Sequence, residues 1–203
     1  FTVTATSAIH YAGTPTPILS SGSSGKGKII AFSSAKGGTG TTSVCVNTAF
    51  ALSRQSERLK ILVVDMVFPL GTVGRSIAYE SSQTISQLSQ LYKDKLNPDA
   101  IKKFVSPERH FGFYVLLAAN TVKESIDLDA SQMAPLFERL REMYDYVFVD
   151  FGRALSRISL PIMARADAIV VTLTPDINTV KMSRLVIQHL VSLGIEYRQL
   201  VLL

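Results

Sequence analysis

An α/β fold, doubly wound around a mostly parallel sheet with helices on both faces, is predicted by three observations. Six short apolar runs, at residues 29–33, 61–65, 113–118, 146–150, 168–173 and 200–203, lack polar alternation; such runs mark strands buried on both faces, as in a parallel sheet. Amphipathic stretches separate several of these runs, and strand–helix–strand order requires right-handed crossovers that place helices on the sheet. The chain has 203 residues, 47% of them hydrophobic and 18% charged, which suits one domain with an aliphatic core. In such a sheet ligands bind at the carboxyl ends of the strands.

Each element follows in order. Residues 1–27, "FTVTATSAIHYAGTPTPILSSGSSGKG", are dense in Ser, Thr, Gly and Pro and read as a linker or tail, leaving 28–203 as the folded domain. A helix over 42–54 is expected to turn Val44, Cys45, Thr48, Ala51 and Leu52 toward the sheet. The stretch 72–110 suggests two short helices, near 85–92 and 98–105. A helix over 131–144 gathers Met133, Leu136, Phe137, Leu140, Met143 and Tyr144 on one face. The last helix, 179–193, has Asn178 or Asp176 to cap its start and Gly194 to end it. The Met and Leu positions of these helices are expected in the core.

Composition narrows the function. A net charge of +5 is a mild excess. Its nearest approach to a basic cluster, Lys93, Lys95, Lys102 and Lys103, is interrupted by Asp94 and Asp99 and reads as a solvated face rather than a nucleic-acid patch. The single Cys45 fits a small core residue in a reducing compartment. No apolar run approaches the ~18 residues of a membrane span, and no secretory leader opens the chain. A cytoplasmic location is therefore expected, with neither DNA nor membrane binding supported by this stretch. Because the sequence starts at Phe1 and stops in an apolar run, "RQLVLL", a fragment of a longer chain is expected. His10, His110 and His189 are scattered and form no ligand pattern.

The chemistry lies in "AFSSAKGGTGTTSVCVNTAFAL", residues 31–52, a strand, a glycine-rich turn and a helix. Gly37, Gly38 and Gly40 allow several backbone N–H groups to converge on one anion, and the following helix adds its positive end. Thr39, Thr41, Thr42 and Ser43 complete the candidate phosphate cradle, with the Thr42 hydroxyl placed to hold Mg²⁺. The conventional pattern Gly-x-x-x-x-Gly-Lys-[Ser/Thr] is broken, because Thr41 stands where its lysine belongs. Asp150 ends the apolar run "YVFVD" and Asp65 ends "ILVVD"; both are candidate metal-side carboxylates in the same crevice.

"KGGTGTTS" resembles the deviant Walker A motif of the MinD/ParA superfamily, with Lys36 at the place of the signature lysine. The likeness continues through "ILVVDMVFPLGTV", "YVFVDFGRAL" and "VVTLTPDINTVKMSRLVIQHL", and so spans most of residues 28–203. Threonine in place of the second lysine is similar to the CpaE/TadZ branch, associated with pilus assembly. The resemblance implies a P-loop nucleotide-binding fold, ATP and Mg²⁺ as ligands, and a nucleotide-dependent homodimer in which Lys36 reaches the partner's phosphates. It also implies protein partners in a pilus or secretion assembly, attachment at a cell pole or membrane through them, and a receiver-like domain upstream. An adenine-recognition asparagine would follow residue 203.

One departure bears on catalysis. The superfamily strand ending at Asp65 usually continues Asp-x-Asp, and here the second acid is Val67, which can neither accept a proton nor orient a water. The leading expectation is a nucleotide-binding localisation or assembly factor with weak or absent hydrolysis. An active ATPase of the partition or cell-division kind and a degenerate scaffold that binds no nucleotide are the alternatives.

Overall fold

The structure, a computed structural model, describes residues 26–91, 97–108, 110–153 and 155–203. The linker or tail expected over 1–27 lies outside them up to residue 25, as do Lys93 and Lys95. Seven strands form one sheet: β1 (Lys28–Ser34), β2 (Ile61–Asp65), β3 (Ser106–Glu108), β4 (Phe113–Leu116), β5 (Tyr146–Asp150), β6 (Ala168–Thr172) and β7 (Leu200–Leu202). Their spatial order is β3-β4-β2-β5-β1-β6-β7. Every pairing is parallel except β3 with β4. The antiparallel edge strand β3 was not expected; it is three residues long and contains Pro107, which an edge tolerates.

Because successive strand residues face opposite sides, each strand feeds two cores. Ile30, Phe32, Ile61, Val63 and Phe148 pack under α1 (Thr41–Gln55) and α2 (Val73–Ser76). Ile29, Ala31, Leu62, Val64, Val147 and Val149 lie on the other face. There they meet α3 (Ile85–Ser89), α4 (Pro98–Lys102), α6 (Ala130–Met143), α7 (Ser159–Met163) and α8 (Ile177–Ser192). A short α5 (Val122–Ile126) precedes α6. The doubly wound, mostly parallel architecture is the one the sequence predicts. Helices α2, α5 and α7 were not foreseen, since four or five residues are too few to show a helical period.

Two helix faces differ from expectation. In α1 the buried stripe is Thr41, Cys45, Val46, Ala49, Leu52 and Ser53, whereas Thr48 and Ala51 are exposed. In α8 the buried residues are Thr179, Ser183 and Leu190, while Met182 and Leu185, and Leu193 just past the helix end, are 43%, 65% and 50% exposed and so do not belong to the core. The buried face of α8 mixes the small polar Thr179 and Ser183 with Leu190, and Val186, Ile187 and Val191 pack partly buried against the same core. Asp176, not Asn178, caps α8, accepting from the Thr179 N–H at 2.9 Å. Gly194 follows the helix at φ +92°, as a C-terminal glycine should. Among the described residues no helix is long and apolar enough to cross a membrane.

Candidate phosphate and metal site

Strand β1 lies inside the sheet between β5 and β6, and its carboxyl end delivers the glycine loop. Gly38 and Gly40 stand at φ +83° and +82°, a left-handed backbone that side chains with a Cβ rarely adopt. Gly40 also occupies the N-cap of α1, where no side chain caps the helix. The first N–H groups of α1 therefore open toward the loop, as anion binding requires. Ser34 fixes the start of the loop: its hydroxyl donates to the carbonyls of Lys36 at 2.9 Å and Gly152 at 3.1 Å.

Thr41, at the position of the conventional lysine, is turned inward. Its hydroxyl is 2.7 Å from that of Thr172 at the end of β6, and Thr39 joins them at 3.0 Å from Thr172. Three hydroxyls thus tie the loop to the sheet where a lysine would otherwise reach the phosphates. Lys36 lies at the other end of the loop with its ammonium 3.8 Å from Asp176 and half its side chain exposed. That separation exceeds hydrogen-bond range, and an exposed pair of this kind holds weakly. The Asp176 carboxyl is kept well below the usual range by the hydroxyls of Thr174 and Thr179, the Thr179 N–H and, last, Lys36.

Asp65 and Asp150 are paired in register on adjacent strands, and both are fully buried. Asp65 faces its own following segment: Oδ1 accepts from the Val67 N–H at 3.0 Å and Oδ2 from the Val73 N–H at 2.8 Å. Burial, assisted by the negative charge of Asp150 and opposed by these N–H groups, pushes the Asp65 carboxyl up to about 7. The segment passes so close that a Cβ on Gly71 would stand 2.4 Å from Asp65 Oδ2. Asp150 accepts from the Gly152 N–H at 3.0 Å and from the Thr72 hydroxyl at 3.3 Å, and the Thr42 side chain also bonds to it. Burial raises its carboxyl as well, against those three donors. Cys45 lies behind, its thiol pushed up by burial and then by the charges of Asp150 and Asp65, so it stays an inert core group.

The fold therefore gathers the sequence candidates at one strand edge, with Thr42 beside Asp150 and Asp65 one strand further on. Among the described residues no Lys, Arg or His forms an ion pair with either aspartate, and no three His, Cys, Asp or Glu side chains cluster to hold a metal. Hydroxyl and carboxylate oxygens of this kind fit Mg²⁺, which binds through few protein oxygens and completes its shell with phosphate and water. A cavity of about 460 Å³ opens on the far side of Asp65, lined by Gly71, Gly74, Arg75, Tyr79 and Asn120 among others. The phosphate loop does not line it, so it is separate from the cradle. Thr72, Thr172 and Asp176 were not read as site residues. Thr72 lies within "ILVVDMVFPLGTV" but was given no role there, and Thr172 and Asp176 read as strand end and helix cap.

A glycine loop leaving an inner strand of a parallel sheet, wound directly into a helix, defines the P-loop class of nucleotide-binding folds. Residues 27–190 match the AAA domain family AAA_31, and the chain belongs to this family within the MinD/ParA superfamily. It is 25% identical over 154 residues to the septum site-determining protein MinD of Synechocystis sp., a match covering 76% of this chain and 56% of that protein. The chain thus spans about half the length of the curated relatives it matches. In fold it resembles a ParA family ATPase from Chlorobium tepidum, with a TM-score of 0.79, 21% identity, and coverage of 87% of this chain and 72% of that one. It likewise resembles MinD of Pyrococcus horikoshii, a structure complexed with Mg-ADP, with a TM-score of 0.70, 20% identity, and coverage of 87% and 68%.

Proposed function

We propose that the chain binds ATP with Mg²⁺ and acts as a dimerisation-linked localisation or pilus-assembly factor of the CpaE/TadZ kind, with weak or absent hydrolysis. The observation that carries this reading is the uncapped start of α1 behind a left-handed glycine loop, with Thr42 against the buried Asp150. Backbone N–H groups of residues 37–43 hold the phosphates, Lys36 adds the positive charge of a deviant Walker A loop, and Thr42 with Asp150 serves the metal. Asp65, engaged by its own segment, acts on the metal from behind. The Mg-ADP of the Pyrococcus MinD structure supports the choice of ligand. Bound metal would supply charge stabilisation to the transferring phosphoryl group; the chain's own contribution is to bind and orient it.

Dimerisation is supported by the surroundings of Lys36. Ile177 and Val180, on the first turn of α8 next to its partner Asp176, are 67% and 50% exposed, an apolar rim of the sort that contact surfaces carry. The phosphate face would then be shared between two copies, with Lys36 exchanging Asp176 for the second copy's nucleotide. Partners in a pilus or secretion assembly would dock on that dimer, holding it in the cytoplasm at a cell pole or membrane. The similarity to MinD and ParA proteins favours a second reading, an active partition or cell-division ATPase. Sustained phosphate release stimulated by DNA, membrane or a partner would select it.

Isothermal titration of ATP with Mg²⁺ tests the proposal: saturable binding is expected, and none at millimolar ATP would sink it. Lys36→Ala is expected to weaken nucleotide-dependent dimerisation at least about tenfold, the scale of one charge-assisted hydrogen bond. Thr41→Ala, whose hydroxyl already faces Thr172, should change it less than about threefold on the same scale. Light scattering across a concentration series reads both, and equal effects would count against a bridging lysine.

A further inference from the structure

The segment after β2 lost its acid at Val67, yet it still sends one polar group into the metal site. The Thr72 hydroxyl lies 3.0 Å from the Thr42 hydroxyl and 3.3 Å from Asp150 Oδ2. Neighbouring oxygens in an octahedral Mg²⁺ shell, each at about 2.1 Å from the ion, stand about 3 Å apart. The two threonine oxygens already have that spacing. Both hydroxyls also bond to Asp150, so each can keep its hydrogen on the carboxylate while its lone pair faces a cation. Asp150 would then act through the two O–H groups, as carboxylates behind metal ligands commonly do.

Thr72 is held in place by more than its own bonds. The Asp65 carboxylate grips the Val67 and Val73 N–H groups on either side of it, with a further contribution from the Thr72 N–H. The Thr72 carbonyl accepts from the Ser76 N–H at 3.1 Å and the Ser76 hydroxyl at 2.9 Å, which joins it to α2. These bonds fix the backbone on both sides of Thr72, so its hydroxyl is presented at one position.

We propose that Thr72 is a magnesium-side residue of the nucleotide site, its hydroxyl oxygen taking a place in the Mg²⁺ shell beside Thr42 and thereby tying the segment 66–76 to the presence of metal and nucleotide. The proposal rests on the nucleotide-binding reading above. It gives this segment a hydroxyl contact to the metal, distinct from the water-orienting role that Val67 cannot fill.

The test is isothermal titration of ATPγS into wild-type, Thr72→Val, Thr72→Ala and Thr72→Ser proteins, once with MgCl₂ and once with EDTA, with hydrogen exchange of residues 66–76 read in parallel. Wild-type and Thr72→Ser proteins are expected to bind at least about tenfold more tightly with Mg²⁺, the usual scale for groups around a metal. Thr72→Val and Thr72→Ala should lose most of that gain while matching wild type in EDTA, which also shows that they fold. Exchange over 66–76 should slow on adding Mg²⁺ and ATPγS to wild type but not to Thr72→Ala. A full Mg²⁺ gain in Thr72→Val or Thr72→Ala overturns the role of Thr72 and leaves nucleotide binding standing. Absence of ATPγS binding by wild type in both conditions overturns the nucleotide reading, and this proposal with it. Should Thr72→Val and Thr72→Ala both fail to fold, unchanged exchange in wild type on adding Mg²⁺ and ATPγS would overturn the proposal.

Discussion

Asp65→Ala is expected to destabilise the ligand-free protein by about 3 kcal/mol, the scale of two or more buried N–H groups left without an acceptor. The Val67 and Val73 N–H groups end on opposite oxygens of this one carboxylate. The segment 66–76 should open before the sheet does, read as faster hydrogen exchange there than in β1 or β5. Urea denaturation gives the total. Asp65→Asn, which keeps one acceptor and adds a donor, should fall between wild type and alanine.

The same variant has a pH signature of unusual sign. Asp65 is pushed from its ordinary value of 3.8 up to about 7, so between these values the folded protein keeps a proton that the unfolded chain releases. Stability from this group therefore falls as pH rises from about 4 to about 7, the reverse of a salt-bridged carboxylate. Asp65→Ala should remove that slope, and a steeper slope in the variant would refute the assignment. The arrangement is costly in the ligand-free protein because two buried carboxylates, Asp65 and Asp150, share one sheet edge with no cationic side chain paired to them among the described residues. A divalent cation delivered with a nucleotide is the charge that such an edge lacks.

What could be read from the sequence follows where the information is local. The apolar strands, the glycine loop and the aspartates at strand ends are each written in fewer than ten consecutive residues, and the structure assembles them at one edge. The stripe of α8 was misread because its buried positions are Thr179, Ser183 and Leu190, and a hydrophobic period cannot mark a face whose contacts are partly hydroxyls. Thr72 could not be found at all. Its place beside Thr42 depends on the path of residues 66–73 around Asp65, a contact between the first turn of α1 and a residue thirty positions further on. The break in the conventional loop pattern at Thr41 is visible in the sequence, but its engagement by Thr172 is a pairing across 131 residues that no local pattern carries.

Val67→Asp is expected to raise ATP turnover about 100-fold over wild type, at the low end of what a positioned acid or base contributes. The resemblance places a water-orienting carboxylate at this position. A Cβ on Gly152 would meet Val67 Cγ2 at 3.2 Å, which puts the side chain of residue 67 between the segment after β2 and the turn after β5. Aspartate is close to valine in volume, although it branches at Cγ rather than Cβ, so the change introduces charge more than bulk. That charge is a third carboxylate beside Asp65 and Asp150, and the ligand-free variant should melt at a lower temperature. Mg²⁺ and ATP should restore the loss, since a ligand that binds only the folded state stabilises it by mass action. Val67→Asn separates two contributions, because an amide can orient a water but not take its proton; a rise with asparagine well below that with aspartate would identify proton acceptance as the missing step. Phosphate release at saturating ATP measures all three proteins. If Val67→Asp binds ATP as wild type does and releases no more phosphate, the limit lies at Thr41. Restoring the lysine there would break the Thr39–Thr41–Thr172 contacts that anchor the loop, so in that case the protein has exchanged a catalytic cation for a fixed phosphate cradle.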